Sequence, residues 1–223
     1  MSGENGGELV LVHTVAALAD LFDELRDEID PGVPVRHVVE AALLTDAIEA
    51  GGLTDEIRAR TRAALLEAAA GARLVLCTCS TVGPGADDAA AQARVPVLRV
   101  DRPMAEAAVA AGRRITVVAT LATTIGPTAD LVADAARRAD RQVDISSVVF
   151  AEARARLVAG DAEGHHRIIA DGLHDAAAGA DAIVLAQASM TPALAHCGDI
   201  RVPLLTSPRS GLEAAIARWR SAA

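Results

Sequence analysis

The stretch Leu74-Val75-Leu76-Cys77-Thr78-Cys79-Ser80-Thr81-Val82-Gly83-Pro84-Gly85 carries an apolar strand straight into a thiol, two hydroxyls and a Gly-Pro turn. A thiol at the carboxyl end of a buried strand, just ahead of a helix, sits where backbone N–H groups and the helix dipole stabilise its thiolate. Such a thiolate serves as base, acid or nucleophile. Of the two cysteines, Cys77 lies inside the apolar run, whereas Cys79 meets Ser80 and Thr81 at the turn and is the one expected to be exposed. Plainer roles stay open for both. Free cysteines commonly pack as small apolar side chains, and a redox pair at this spacing would form a strained disulfide. A zinc site would need two more ligands, for which Cys197 beside His196 is the nearest source of a thiol, and the paired ligand spacings of structural sites are missing.

A second stretch, Val117-Val118-Ala119-Thr120-Leu121-Ala122-Thr123-Thr124-Ile125-Gly126-Pro127-Thr128, again puts hydroxyls and a Gly-Pro turn between a strand and a helix. Hydroxyls together with helix N–H groups suit a carboxylate; ordinary capping by Thr123 or Thr124 is compatible with the same residues. His13 ends an apolar run, where a structural and a functional histidine are equally admissible. His165, His166 and His174 lie among Glu163, Arg167 and Asp171 and are expected on a solvated helical face without a catalytic role.

Positioning these groups requires strands and helices in alternation. Glu8–His13, Val33–Val39, Arg73–Thr78, Val95–Val100, Arg114–Thr120, Gln142–Val149, Asp181–Ala186 and Val202–Leu205 read as strands, separated by Ala-rich helical patterns. That alternation predicts an α/β fold with parallel sheets. The first, third, fifth and seventh strands are nearly all apolar, as central strands covered on both faces are. Their carboxyl ends should carry function. Those ends are His13-Thr14, Cys79-Ser80-Thr81, Thr120 with Thr123-Thr124, and Gln187-Ala188-Ser189. Thr14 to Cys79 is 65 positions and Thr123 to Gln187 is 64. The matched intervals predict two similar α/β/α lobes with four-stranded parallel sheets facing across a cleft, residues 1–102 with 206–223 forming one and 103–205 the other. In this reading Ser210–Arg220 is a closing amphipathic helix returned to the first lobe.

Composition narrows the classes of function. The chain has 223 residues, 52% of them hydrophobic, yet its aromatics are only Phe22, Phe150 and Trp219, so packing depends on close approach of small side chains. A net charge of −9, with arginines dispersed beside Asp and Glu, argues against a nucleic-acid partner. No apolar run reaches the roughly 20 residues of a membrane span, and residues 1–8 show neither a basic nor an apolar signal region. A cytoplasmic protein with three free thiols is expected, binding neither membrane nor nucleic acid. Self-association is left open.

With these motifs on view, the chain resembles the aspartate/glutamate/hydantoin racemase superfamily, which also contains maleate cis–trans isomerase and arylmalonate decarboxylase. The likeness spans nearly the whole chain. Cys79-Ser80-Thr81 resembles the family's Cys-Ser-Thr motif of the first half, and Ala119-Thr120-Leu121-Ala122-Thr123-Thr124 resembles its carboxylate-holding Ala-Thr loop. Ser207-Pro208-Arg209-Ser210-Gly211 is similar to the tail of some relatives. Ile183-Val184-Leu185-Ala186-Gln187-Ala188-Ser189-Met190 resembles the second-half motif Leu-Gly-Cys-Ala-Gly-Met, with Gln187 where a second cysteine belongs. The resemblance implies cofactor-independent chemistry on a small carboxylic acid, with Cys79 as the reacting group. Thr14, Ser80, Thr81, Thr120, Thr123, Thr124, Gln187 and Ser189 are the implied binding residues, with no metal. Racemising a carbon acid takes two proton-transfer groups on opposite faces, and a carboxamide is not one. The expected activities are racemase- or isomerase-type chemistry through the single thiol of Cys79, one-cysteine decarboxylation, or carboxylate binding without turnover.

Overall fold

The computed structural model describes residues 7–221; the Gly-rich opening stretch, residues 1–6, and residues 222–223 lie outside them. Eight strands form, β1 (Glu8–His13), β2 (Val35–Val39), β3 (Ala72–Cys77), β4 (Val97–Arg99), β5 (Arg114–Ala119), β6 (Asp144–Val149), β7 (Ala182–Leu185) and β8 (Leu204–Thr206). They make two parallel sheets, ordered β2-β1-β3-β4 and β6-β5-β7-β8. The four apolar strands are the central pairs. Three strands begin later than their apolar runs because a proline precedes them. Pro34, Pro96 and Pro203 have no N–H to give a ladder, yet each carbonyl accepts from the adjoining strand, at Leu9, Val75 and Ile183, all at 2.9 Å.

The chain divides into two compact units: one runs to Val100 and takes in the chain from Pro208, and the other is Asp101–Ser207. In the first, alternate residues of the central strands face opposite helical layers. Leu9, Leu11, Leu74 and Leu76 pack against α1 (Leu18–Ile29) and the last helix, α9 (Pro208–Ser221), through Phe22, Leu212 and Ile216. Val10, Val12, Val75 and Cys77 face α2 (Ala41–Glu49), α3 (Asp55–Ala68) and α4 (Gly83–Ala90) through Leu43, Ile57, Leu65 and Ala86. The second unit repeats the plan: α5 (Arg102–Ala111) and α6 (Ala122–Arg138) cover one face, and α7 (Ala151–Val158), α8 (Ala162–Ala177) and a 3-10 segment (Ala188–His196) cover the other. Each fully buried Leu, Ile or Phe contributes roughly 1.5–3 kcal/mol, so the central strands are the firmly held part of each unit and their ends inherit that rigidity.

Helix starts follow local chemistry. Thr54 caps α3 by accepting from the Ile57 N–H at 3.3 Å, and Asp161 caps α8 by accepting from Gly164 at 2.8 Å. No helix among the described residues is long and apolar enough to cross a membrane.

Candidate functional site

Each sheet order contains a point where the chain leaves neighbouring strands in opposite directions. From β1 it proceeds to β2 on one side, and from β3 to β4 on the other. Ligand crevices of open α/β sheets lie outside the carboxyl ends of such a pair. Thr14 follows β1 and Cys79-Ser80-Thr81 follows β3, so these four side chains sit at that point in the first unit. The corresponding pair in the second unit is β5 and β7, which are followed by Thr120, Thr123 and Thr124 and by Gln187 and Ser189.

At the first pair, the strand ends are tied by hydrogen bonds. Both the Thr78 N–H, at 3.0 Å, and its hydroxyl, at 3.1 Å, donate to the Val12 carbonyl. Cys79 is 9% exposed, which corrects the expectation of an exposed thiol: the turn folds its side chain back among Val12, Cys77 and Val82. Cys77 is more deeply buried and all three cysteines are free thiols. The Thr14 hydroxyl is buried and has no hydrogen-bond partner among the described residues. Ser80 accepts from the Gly83 N–H through its carbonyl at 3.2 Å, which opens α4, and Thr81 is buried.

At the second pair, Gln187 organises the strand ends. Its Oε1 accepts from the Thr120 N–H at 2.6 Å, the Leu121 N–H at 3.0 Å and the Thr120 hydroxyl at 3.1 Å. The carboxamide thereby satisfies two backbone donors at the entry to α6, whose own N-cap, Leu121, offers no side-chain acceptor. Three donors on one oxygen fix the amide plane and turn the NH2 group away, and that NH2 has no acceptor among the described residues. The N-cap position of α6 falls on Leu121, and Thr123 and Thr124 lie within its first turn. The Thr123 hydroxyl is buried without a partner, Thr124 is fully buried, and Ser189 is exposed at the start of the 3-10 segment.

Several functional-looking groups escaped the sequence. His165 is completely buried, contrary to the solvated face expected of it; its Nδ1 donates to the Ala153 carbonyl at 2.8 Å, pinning α8 to α7. The helical repeat of the surrounding polar residues hid this, because one turn of α8 faces inward with Ile169 and Leu173. His166 stays at the surface side, its proton affinity lowered by burial and by His165 and His196. Arg99 is buried at the end of β4, with Nη1 2.9 Å from Asp87 Oδ2. Its guanidinium lies under Gly83, where a Cβ would come within 2.6 Å of it. His13 is wholly buried, with Nδ1 2.8 Å from the Thr78 hydroxyl and Nε2 2.8 Å from Nδ1 of His37. Both ring nitrogens are engaged within the first unit, so His13 is not itself a group that exchanges protons with a ligand. Burial, and secondarily His37, lowers its pKa to about 4. No cluster of three or more His, Cys, Asp or Glu among the described residues could hold a metal ion.

The family model for Asp/Glu/hydantoin racemases matches residues 13–215. A search of curated proteins finds no significant sequence match. Among solved structures, glutamate racemase from Thermus thermophilus, in complex with β-chloro-D-alanine, superposes with a TM-score of 0.70 at 17% identity, covering 97% of this chain and 82% of that one. Aspartate racemase from Picrophilus torridus gives 0.69 at 14% identity over 97% of this chain and 94% of that one. Allantoin racemase from Pseudomonas fluorescens gives 0.58 at 17%, covering 96% and 91%. At such identities the structures speak for the fold, while the family match over most of the length speaks for descent: the chain belongs to the Asp/Glu/hydantoin racemase family.

Proposed function

We propose that the protein is a cofactor-independent, one-thiol enzyme of this family acting on a small carboxylic acid, with Cys79 as the proton-transferring or nucleophilic group. Thr14, Ser80 and Thr81 act as neutral donors beside it, and Thr120, Thr123, Thr124, Gln187 and Ser189 are the polar groups of the second unit. The observation that carries the reading is the asymmetry between the two units. One presents a thiol at the switch point. The other presents a carboxamide whose oxygen is spent on three donors, leaving only N–H groups to offer.

The chemistry follows from that inventory. As a thiolate, Cys79 takes the α-proton of the bound acid, and the C–H electron pair passes into the carboxylate as an enediolate. Neutral N–H and O–H donors stabilise the added negative charge. The proton then returns from the same sulfur, because the other proposed binding groups are hydroxyls and a carboxamide, which do not supply one. The buried, unpartnered hydroxyl of Thr14 supports a ligand on the first unit, since buried hydroxyls are ordinarily satisfied. Calorimetry with aspartate, glutamate, malate and sulfate tests the binding part. Small carboxylates should bind, Thr14→Val should weaken them, and binding confined to sulfate or unaffected by Thr14→Val would contradict it.

A further inference from the structure

We propose that Asp23, His37 and His13 form a side-chain relay that positions Thr78, the residue immediately before Cys79, and makes that position answer to the protonation of a histidine pair. The proposal rests on the Cys79 reading only in calling that strand end the working end.

The relay carries its protons in one order. A hydroxyl has one proton, and that of Thr78 points to the Val12 carbonyl at 3.1 Å. Thr78 therefore only accepts from His13, and His13 Nδ1 carries the hydrogen. A neutral His13 then has a bare Nε2, so the 2.8 Å contact is donated by Nδ1–H of His37. His37 Nε2 faces Asp23 Oδ1 at 3.3 Å, a charge contact without hydrogen-bond alignment. A proton on that nitrogen turns two opposed lone pairs into an ion pair, so the arrangement accommodates one positive charge, on His37 beside Asp23. A second proton on His13 would set donor against donor at 2.8 Å and break the link. Asp23 Oδ1 is shared with a guanidinium. From α1, Arg26 lies on Asp23 at 3.4 Å and on Asp27 at 2.7 Å, and Phe22 meets the His13 ring at 5.5 Å between centroids. β3 presents neutral Thr78, and Glu40 reaches His13 through its backbone N–H. Leu11 and His37 are register partners, which places His13 and His37 on one face of the sheet, under α1.

Acting through Thr78, these are positioning residues. Their test uses the whole chain and no turnover. In 15N-histidine-labelled protein, long-range 1H–15N spectra at neutral pH should show His13 neutral with hydrogen on Nδ1, and His37 with hydrogen on Nδ1. Finding His13 with hydrogen on Nε2 overturns the relay. Amide exchange over residues 77–82 should accelerate about tenfold or more in His37→Leu. His37→Asn, whose Nδ2–H can still donate to His13, should remain within about threefold of the unaltered chain. Equal exchange in all three proteins overturns the proposal. Should His37→Leu unfold, the half-exposed Asp23→Asn decides: amide exchange over residues 77–82 should accelerate by about threefold or more, and exchange unchanged from the unaltered chain refutes the relay. Alkylation of Cys79 by iodoacetamide, read on its peptide, should rise in His37→Leu and not in His37→Asn. A relay that passes these tests in a protein showing no exchange chemistry would leave the positioning intact and sink only the enzymatic reading.

Discussion

Gln187 shows how much one side chain can hold. Its oxygen satisfies two backbone N–H groups and a hydroxyl, and under the proposed function its NH2 is offered to the ligand. Gln187→Glu keeps the acceptor and removes the donors. Its thermal midpoint should stay close to that of the unaltered chain while carboxylate binding is lost, and retained binding would show that the amide N–H groups do not touch the ligand. Gln187→Cys instead strands the Thr120 and Leu121 N–H groups. An orphaned buried donor costs about 1–3 kcal/mol, so this variant should unfold at measurably lower urea. Restoring a second thiol therefore also dismantles the turn that presents it. Gly83 is a second such position: a Cβ there displaces the Arg99 guanidinium from Asp87. Gly83→Ala should lose roughly 1–3 kcal/mol in denaturant titrations, and a neutral effect would mean that Arg99 has another resting place.

Strand ends, the elements that matter here, were readable because central strands advertise themselves as apolar on both faces and their ends as abrupt runs of hydroxyls. Glu8–His13 and Arg114 onward needed no tertiary information. What composition did not contain was which polar groups face inward. His13, His37 and Asp23 come from β1, β2 and α1 and meet only because a parallel ladder sets Leu11 beside His37. Arg99 likewise looks like any strand-end charge until β4 is docked beside Cys77. The His13 link has a pH consequence. Its folded pKa, about 4, lies below the ordinary 6.5, so the unfolded chain binds the extra proton between those values. Stability from this source is complete above pH 6.5 and is lost as pH falls through 4. The loss should reach at most roughly 3 kcal/mol, and His13→Asn should flatten that part of the stability curve. Asp181 titrates separately: Arg114, together with the Arg114 and Arg113 N–H groups, holds its carboxyl below the usual range, so its contribution disappears only at pH below the ordinary 3.8. A stability curve flat from pH 6.5 to 4 would contradict the buried neutral state of His13.

Taken whole, the molecule is an acidic chain, with a net charge of −9, for which an anionic ligand is proposed. Long-range repulsion works against that encounter, and recognition falls to short-range neutral donors. The two-unit α/β plan was open to sequence reasoning through strand spacing, and the racemase family through the resemblance carried by Cys79-Ser80-Thr81 and the Ala119–Thr124 loop. The burial of Cys79 and the acceptor role of Gln187 were not, because each depends on how a turn folds back on its strand. In the proposed reaction one thiol exchanges a proton on one face of a carbon acid. It is tested by incubating the protein in deuterated water with each enantiomer of aspartate, glutamate and malate, then measuring deuterium by mass spectrometry and configuration by chiral chromatography. Incorporation at the α-carbon with retention is expected in at least one of them, reduced by about 100-fold or more in Cys79→Ser. Inversion at a rate matching incorporation, or incorporation that survives Cys79→Ser, would contradict it.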